Sequence, residues 1–152
     1  MANIDAKRFE EFVKLVEPQL RRALSGHLPR HEVADGVAEA LTYAWEHRER
    51  VLDMESPVGY LYRVAQSRSR SRKEGFLPWA GDERAADTEP GLDDAIAALP
   101  AGQARAVWLV SACGWSHTEA SAALDVSAST ISTQVSRGMV RLRREMGVVT
   151  DG

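Results

Sequence analysis

Residues Ser116 to Arg144 read SHTEASAALDVSASTISTQVSRGMVRLRR, two short helices with a tight joint between them. Ser116 with Glu119 three residues on is the signature of a capping box, in which each side chain satisfies the other residue's free backbone N–H. Leu124-Asp125-Val126 makes the turn. Ser127 can cap the second helix, whose Ile131, Val135 and Leu142 recur near helical spacing and point inward against Ala120 and Leu124. Ser129, Ser132, Thr133 and Ser136, followed by Arg137, remain outside. Short hydroxyls on one helical face reach phosphates and base edges without filling a major groove, and Arg137, Arg141, Arg143 and Arg144 can neutralise backbone phosphate. The pattern is that of a helix-turn-helix, with double-stranded DNA as the first partner to consider. A solvated helix in an ordinary all-α domain is the competing reading, and the rest of the chain must decide between them.

The 152-residue chain can form one domain or two small ones, and its hydrophobic fraction of 44% is that of a folded globular protein. The N-terminal MANIDAKRFEEF lacks the apolar run of a signal peptide, and no uninterrupted apolar run reaches membrane-spanning length. A cytoplasmic protein without membrane insertion is therefore expected. The lone Cys113 cannot form an internal disulfide. The four histidines are scattered, and Pro29 between His27 and His31 argues against a helical ligand pair, so no metal is expected. Nothing pairs a nucleophile with a base and there is no glycine-rich phosphate loop, so neither an enzyme nor a cofactor site is expected.

The net charge of −3 is unevenly distributed. Residues 1–74 hold 13 Lys/Arg against 12 Asp/Glu, residues 75–99 hold one against six, and residues 100–152 hold five against four. The acidity sits in the middle, which leaves room for local basic stripes and predicts weak nonspecific DNA binding.

The stretch Gly75 to Gly91, GFLPWAGDERAADTEPG, is rich in glycine and proline and lacks helical periodicity, so it reads as a linker. Phe76, Leu77 and Trp79 are too apolar for a purely solvated tether, and at least one is expected to dock on a neighbour. Upstream, Phe9, Phe12, Val13, Val16, Leu20 and Leu24 mark an amphipathic helix that Pro18 can kink and that Gly26 and Pro29 end. A second helix, about Glu32 to Glu46, is expected to bury Val33, Val37, Leu41, Ala44 and Trp45 and to expose Asp35, Glu39, Thr42 and Glu46. A third starts at Ser56-Pro57 and runs to about Lys73. Its Arg63, Arg68, Arg70, Arg72 and Lys73 lie among Tyr60, Tyr62 and Gln66, combining charge for phosphates with aromatic surface for an unpaired base. A solvated basic helix end is the alternative. Past the linker, Leu92 to Leu99 and Gln103 to Cys113 form two more helices, with Trp108 and Trp115 as packing residues. The expected fold is all-α: a helical domain over 1–74, a linker over 75–91, and a helix-turn-helix domain over 92–147.

VADGVAEALTYAW supplies Asp35, Glu39, Ala44 and Trp45 at the places of an Ala-Glu-Asp-hydrophobic-x-Gln-Glu-x-Phe-x-x-Ala-Trp pattern. Tyr60 to Ser67 is similar to Trp-Leu-x-x-Ile-Ala-x-Asn. Leu99-Pro100 with Arg105, Gly114-Trp115-Ser116 with Glu119, and Thr130-Ile131 with Arg137-Gly138 follow in order. In order and spacing these resemble regions 2 and 4 of the extracytoplasmic-function, or group IV, sigma factors of bacterial RNA polymerase, over nearly the whole chain. The chain departs from the pattern at Ala38 (for Gln), Tyr60 (for Trp), Ser67 (for Asn) and Asp125, which replaces a turn glycine but tolerates the left-handed conformation.

The resemblance implies a sigma factor that directs core polymerase to promoters and initiates transcription. It implies that Asp35, Glu39 and Thr42 dock on the coiled coil of the polymerase β′ subunit, with the β flap as a further contact and an anti-sigma factor as a further partner. Tyr60, Arg63, Gln66, Ser67 and Arg70 would face the melted minus-10 element, with the loop Arg48 to Glu55 supplying a base pocket. Ser129, Thr130, Ser132, Thr133, Ser136 and Arg137 would read or position the minus-35 duplex. A diverged polymerase- or regulator-binding module, or a plain helix-turn-helix regulator, is the alternative.

Overall fold

The computed structural model describes residues 2–68 and 92–147, whose regular elements are all helices, with no strand among the described residues. The linker stretch with Phe76, Leu77 and Trp79, together with Arg70, Arg72 and Lys73, lies outside the described residues. Four helices come before the stretch 69–91: α1 (Ala2–Ser25), α2 (Arg30–Glu46), the single turn α3 (Arg48–Val51) and α4 (Pro57–Arg68). After it come α5 (Leu92–Ala97), α6 (Ala101–Val107), a π-helical turn (Trp108–Ala112), α7 (His117–Leu124) and α8 (Ala128–Glu145).

Within the first group, α1, α2 and α4 pack on one another through the stripes expected from helical spacing. Val16, Leu20 and Leu24 of α1 meet Val33, Val37 and Ala44 of α2 and Val58, Leu61 and Ala65 of α4 in one buried cluster. Two aromatic residues depart from expectation. Trp45 stays 40% exposed, because it is held at the surface between the edge of Phe9, 5.0 Å between centroids, and the Arg48 guanidinium, 4.1 Å over the ring. Tyr62, expected beside Tyr60 as stacking surface, is only 2% exposed. It falls on the stripe of Val58, Leu61 and Ala65, one turn apart from each other on α4. Its burial pushes the phenol well above the usual tyrosine range, so it stays neutral.

The second group packs α6 against α8 at close quarters. A Cβ at Gly138 would lie 2.5 Å from Val107 Cγ2, so glycine lets the two helices approach. The helix expected over Gln103 to Cys113 is α6 continued by the π turn, where Cys113 N–H donates to Trp108 O at 2.9 Å, five residues back.

The two groups share their core. Gly59 on α4 faces α7 so closely that a Cβ there would lie 2.5 Å from Glu119 O and 2.8 Å from Ala122 Cβ. Trp115 meets Tyr62 edge-on at 5.7 Å. Trp108 Nε1 donates to Ala23 O at 3.0 Å, and its ring lies over Gly26, where any Cβ would clash at 2.4 Å. Arg22 spans the same junction, donating to Ala112 O at 3.0 Å. Two large indoles and a tyrosine desolvated at one contact make this junction a substantial apolar interface.

Candidate nucleic-acid interface

The helix-turn-helix forms as its sequence dictates. Glu119 N–H donates to Ser116 Oγ at 3.0 Å and Ser116 N–H to Glu119 Oε1 at 2.9 Å, completing the box. Asp125 takes the left-handed conformation with φ 56°, and Val126 N–H returns to Ser121 O at 3.2 Å, which reverses the chain within two residues. Ser127 Oγ then accepts from Thr130 N–H at 3.1 Å. Ile131 and Leu142 are buried, while Ser129, Thr130, Ser132, Thr133, Ser136 and Arg137 are all exposed. Ser129, Thr133, Ser136, Arg137 and the exposed Val140 follow helical spacing, so they share one outer stripe of α8. The hydroxyls are not equally available. Those of Ser129 and Thr130 lie 3.1 and 2.9 Å from Ser127 Oγ and help close the cap.

On α4 the structure divides the expected minus-10 set in two. Tyr60 is half-buried beside Tyr43, their hydroxyls 3.0 Å apart. Arg50 donates to the Tyr43 hydroxyl, and the Arg68 guanidinium lies 5.4 Å over the Tyr43 ring. His47 stacks on that ring at 4.1 Å. The result is a surface of alternating rings and cations. Hydrogen bonding to Tyr60, with some burial, raises the Tyr43 phenol and keeps it neutral. Nothing in the sequence alone marks Tyr43 or Arg50 as part of this surface. Tyr43 lies one residue from the acidic stripe of α2, and Arg50 belongs to the expected pocket loop, part of which folds as α3; only their meeting with Tyr60 marks them.

Arg63, Gln66 and Ser67 instead face the other half of the chain. They line a cavity of about 490 Å³ together with His27, Arg105 and the helix-turn-helix turn at Leu124 and Asp125. Arg63 lies 3.9 Å from Asp125.

Asp35, Glu39 and Thr42 are exposed at i, i+4 and i+7 on α2, one continuous stripe. The two carboxylates border a groove of about 360 Å³ that also includes His31, Glu32 and Arg68. No group of residues suited to holding a metal occurs among the described residues, and none of the described helices is long and apolar enough to cross a membrane.

The described residues thus present a helix-turn-helix with an exposed hydroxyl and arginine stripe, packed against a second helical unit with aromatic, basic and acidic faces. Residues 91–142 match the family model for sigma-70, region 4. The sigma factor RpoE of Bartonella quintana, solved with the anti-sigma factor NepR, is similar over 95% of this chain and 99% of that one, with a TM-score of 0.68 and 25% identity. CnrH, solved with the cytosolic domain of CnrY, shares the fold over 93% of this chain and 89% of its own, with a TM-score of 0.65 and 20% identity. No curated protein matches the chain in sequence. Residues 91–142 thus carry a sigma-70 region 4, and the chain as a whole shares the fold of a sigma factor, which supports a place for it among the extracytoplasmic-function sigma factors. Both findings support a role in promoter-directed transcription with RNA polymerase as the partner.

Proposed function

We propose that the two halves divide the promoter between them: residues 1–74 bind core polymerase and the minus-10 element, and residues 92–147 bind the minus-35 element. The observation that carries this is the exposed face of α8, held in position by two capped helices. Ser132, Thr133 and Ser136 read base edges, Ser129 and Thr130 contact phosphate from the helix N-terminus, and Arg137 positions the duplex. Tyr60, extended by Tyr43, Arg50 and Arg68, is a stacking platform for an unpaired base of the melted strand, while Arg63, Gln66, Ser67 and Arg70 hold its backbone. Asp35, Glu39 and Thr42 dock on the β′ coiled coil, where opposite charge fixes register and speeds encounter; the β flap meets the C-terminal half. The protein works in the cytoplasm without chemistry of its own, and an anti-sigma factor is its regulator, as NepR is paired with RpoE.

A sigma factor engaged with both elements must span them. Positions 35 and 10 upstream are about 25 base pairs apart, or about 85 Å at 3.4 Å per pair. With Gly59 of α4 against α7, the two faces cannot be that far apart, so promoter engagement requires the halves to separate. Arg137→Ala tests the placement of the duplex face. It is expected to weaken minus-35 duplex binding across sequences and to lower the salt slope by about one unit; unchanged affinity and slope would overturn the placement.

A further inference from the structure

The cavity between α4 and the helix-turn-helix turn has a chemistry that apolar packing does not account for. Both halves of the chain supply cations to it, Arg63 from α4 and Arg105 from α6, against a single carboxylate, Asp125. The Arg63 to Asp125 separation of 3.9 Å is too long for a hydrogen-bonded pair, so the guanidinium fork remains open to another acceptor. Two polar atoms at this site are buried without a partner: Nδ1 of His27 and Nε of Arg105. His27 as a whole is only 1% exposed. A buried polar atom left unsatisfied is costly, and such atoms in native proteins are usually matched by a bound group. Excess positive charge disfavours a cation, and the polar lining disfavours an apolar ligand. Two guanidinium groups with an amide N–H are a donor set that oxyanions take.

We propose that this junction cavity binds a small oxyanion of the phosphate class, held by Arg63 from one half and Arg105 from the other. Gln66, which gives one amide N–H to the Tyr62 hydroxyl at 3.4 Å, has its second N–H left for the shell. Because the two guanidinium groups come from opposite sides of the junction, the bound anion holds the halves together. It also occupies side chains that would otherwise face the minus-10 strand. The binding itself follows from the junction alone and does not depend on the reading of the DNA faces.

The test is thermal unfolding and calorimetric titration of the full chain with inorganic phosphate, and separately with glycerol phosphate as a monoester, at ionic strength held constant with chloride. Saturable binding is expected, with a rise in midpoint of about 5 °C or more once phosphate is about a hundredfold above its dissociation constant. Arg105→Gln and Arg63→Gln should each reduce the affinity at least tenfold. Arg21→Gln, at a surface pair with Glu17 on α1, should leave it unchanged. Arg63 is exposed, so its variant reports on binding even if Arg105→Gln fails to fold. Saturation by the monoester at lower concentration than by phosphate assigns the site to a phosphorylated metabolite, and the reverse order to the free ion. A chloride-matched titration with no saturable response, or one equal in Arg63→Gln, overturns the proposal and leaves the cavity to water.

Discussion

The outer face of α8 and the basic end of α4 are both proposed to touch promoter DNA, yet they stand in opposite states. On α8, Ser132, Thr133, Ser136 and Arg137 are exposed and ready to enter a groove. On α4, Arg63, Gln66 and Ser67 look across a cavity at the turn of the helix-turn-helix, and Gly59 one turn earlier is pressed onto α7. The packed arrangement leaves the α8 face open, whereas it turns Arg63, Gln66 and Ser67, the proposed holders of the melted strand's backbone, toward the other half. The difference lies in which face each helix uses: α8 buries Ile131 and Leu142 and turns its hydroxyls away, while α4 is sandwiched between α2 and α7.

The contrast breaks most visibly at Gly59. Leucine there must displace the Glu119 carbonyl, which is backbone and cannot rotate away. Overpacking of this kind costs about 1–3 kcal/mol, enough to shift a closed-to-open ratio by roughly 5- to 150-fold. Gly59→Leu is therefore expected to raise affinity for single-stranded DNA while leaving duplex binding by α8 unchanged. Small-angle scattering should show the radius of gyration rising above the value of about 15 Å expected of a compact chain this long. A compact variant with unaltered strand affinity would remove the junction as the cause of the contrast.

His27 sharpens the comparison through pH. Burial, with Arg105 nearby, lowers its pKa from 6.5 to about 4, so the folded chain holds the ring neutral while the unfolded chain protonates first on acidification. The stability this contributes is fully present above pH 6.5 and is lost as pH falls from 6.5 towards 4, by about 2 kcal/mol between pH 7 and pH 5. Chemical denaturation of the wild type and His27→Gln at both pH values measures it. The variant should lose less on acidification, and equal losses would show that His27 is not buried neutral.

The smallest expected effect lies on the other side. Ser116→Ala removes the acceptor for Glu119 N–H and should cost about 1 kcal/mol in denaturant-measured stability. Since α7 orients α8, duplex affinity should fall with it, whereas the Tyr60 platform should be unaffected. Loss of strand binding in this variant would show that the two faces are not independent.

The same contrast explains what was legible in the sequence. The helix-turn-helix was read almost residue by residue because its determinants are local: the Ser116 and Glu119 pair, the Ser127 cap, and an Asp125 able to turn left-handed. The stripes of α1 and α2 were legible for the same reason, as was the burial of Trp108 and Trp115. Tyr62 was placed with Tyr60 although it follows Val58, Leu61 and Ala65 at helical intervals, a pattern that points to the opposite, buried side. Trp45 was expected inside because it is large and apolar, but Phe9 and Arg48 cover only part of it. What local periodicity does not carry is a meeting between residues far apart in sequence. The Gly59 contact with α7, the Trp108 bond to Ala23 and the convergence of Arg63 with Arg105 depend on how the halves close, and so does the cavity between them.

The central claim is that this chain directs RNA polymerase to promoters through two separate DNA faces. Its most direct test is to map RNA 5′ ends made by purified core polymerase with this protein on fragmented DNA from its own organism. The account predicts discrete starts that share two upstream elements, abolished by Asp35→Lys with Glu39→Lys; demonstrable core binding without any such starts would contradict it.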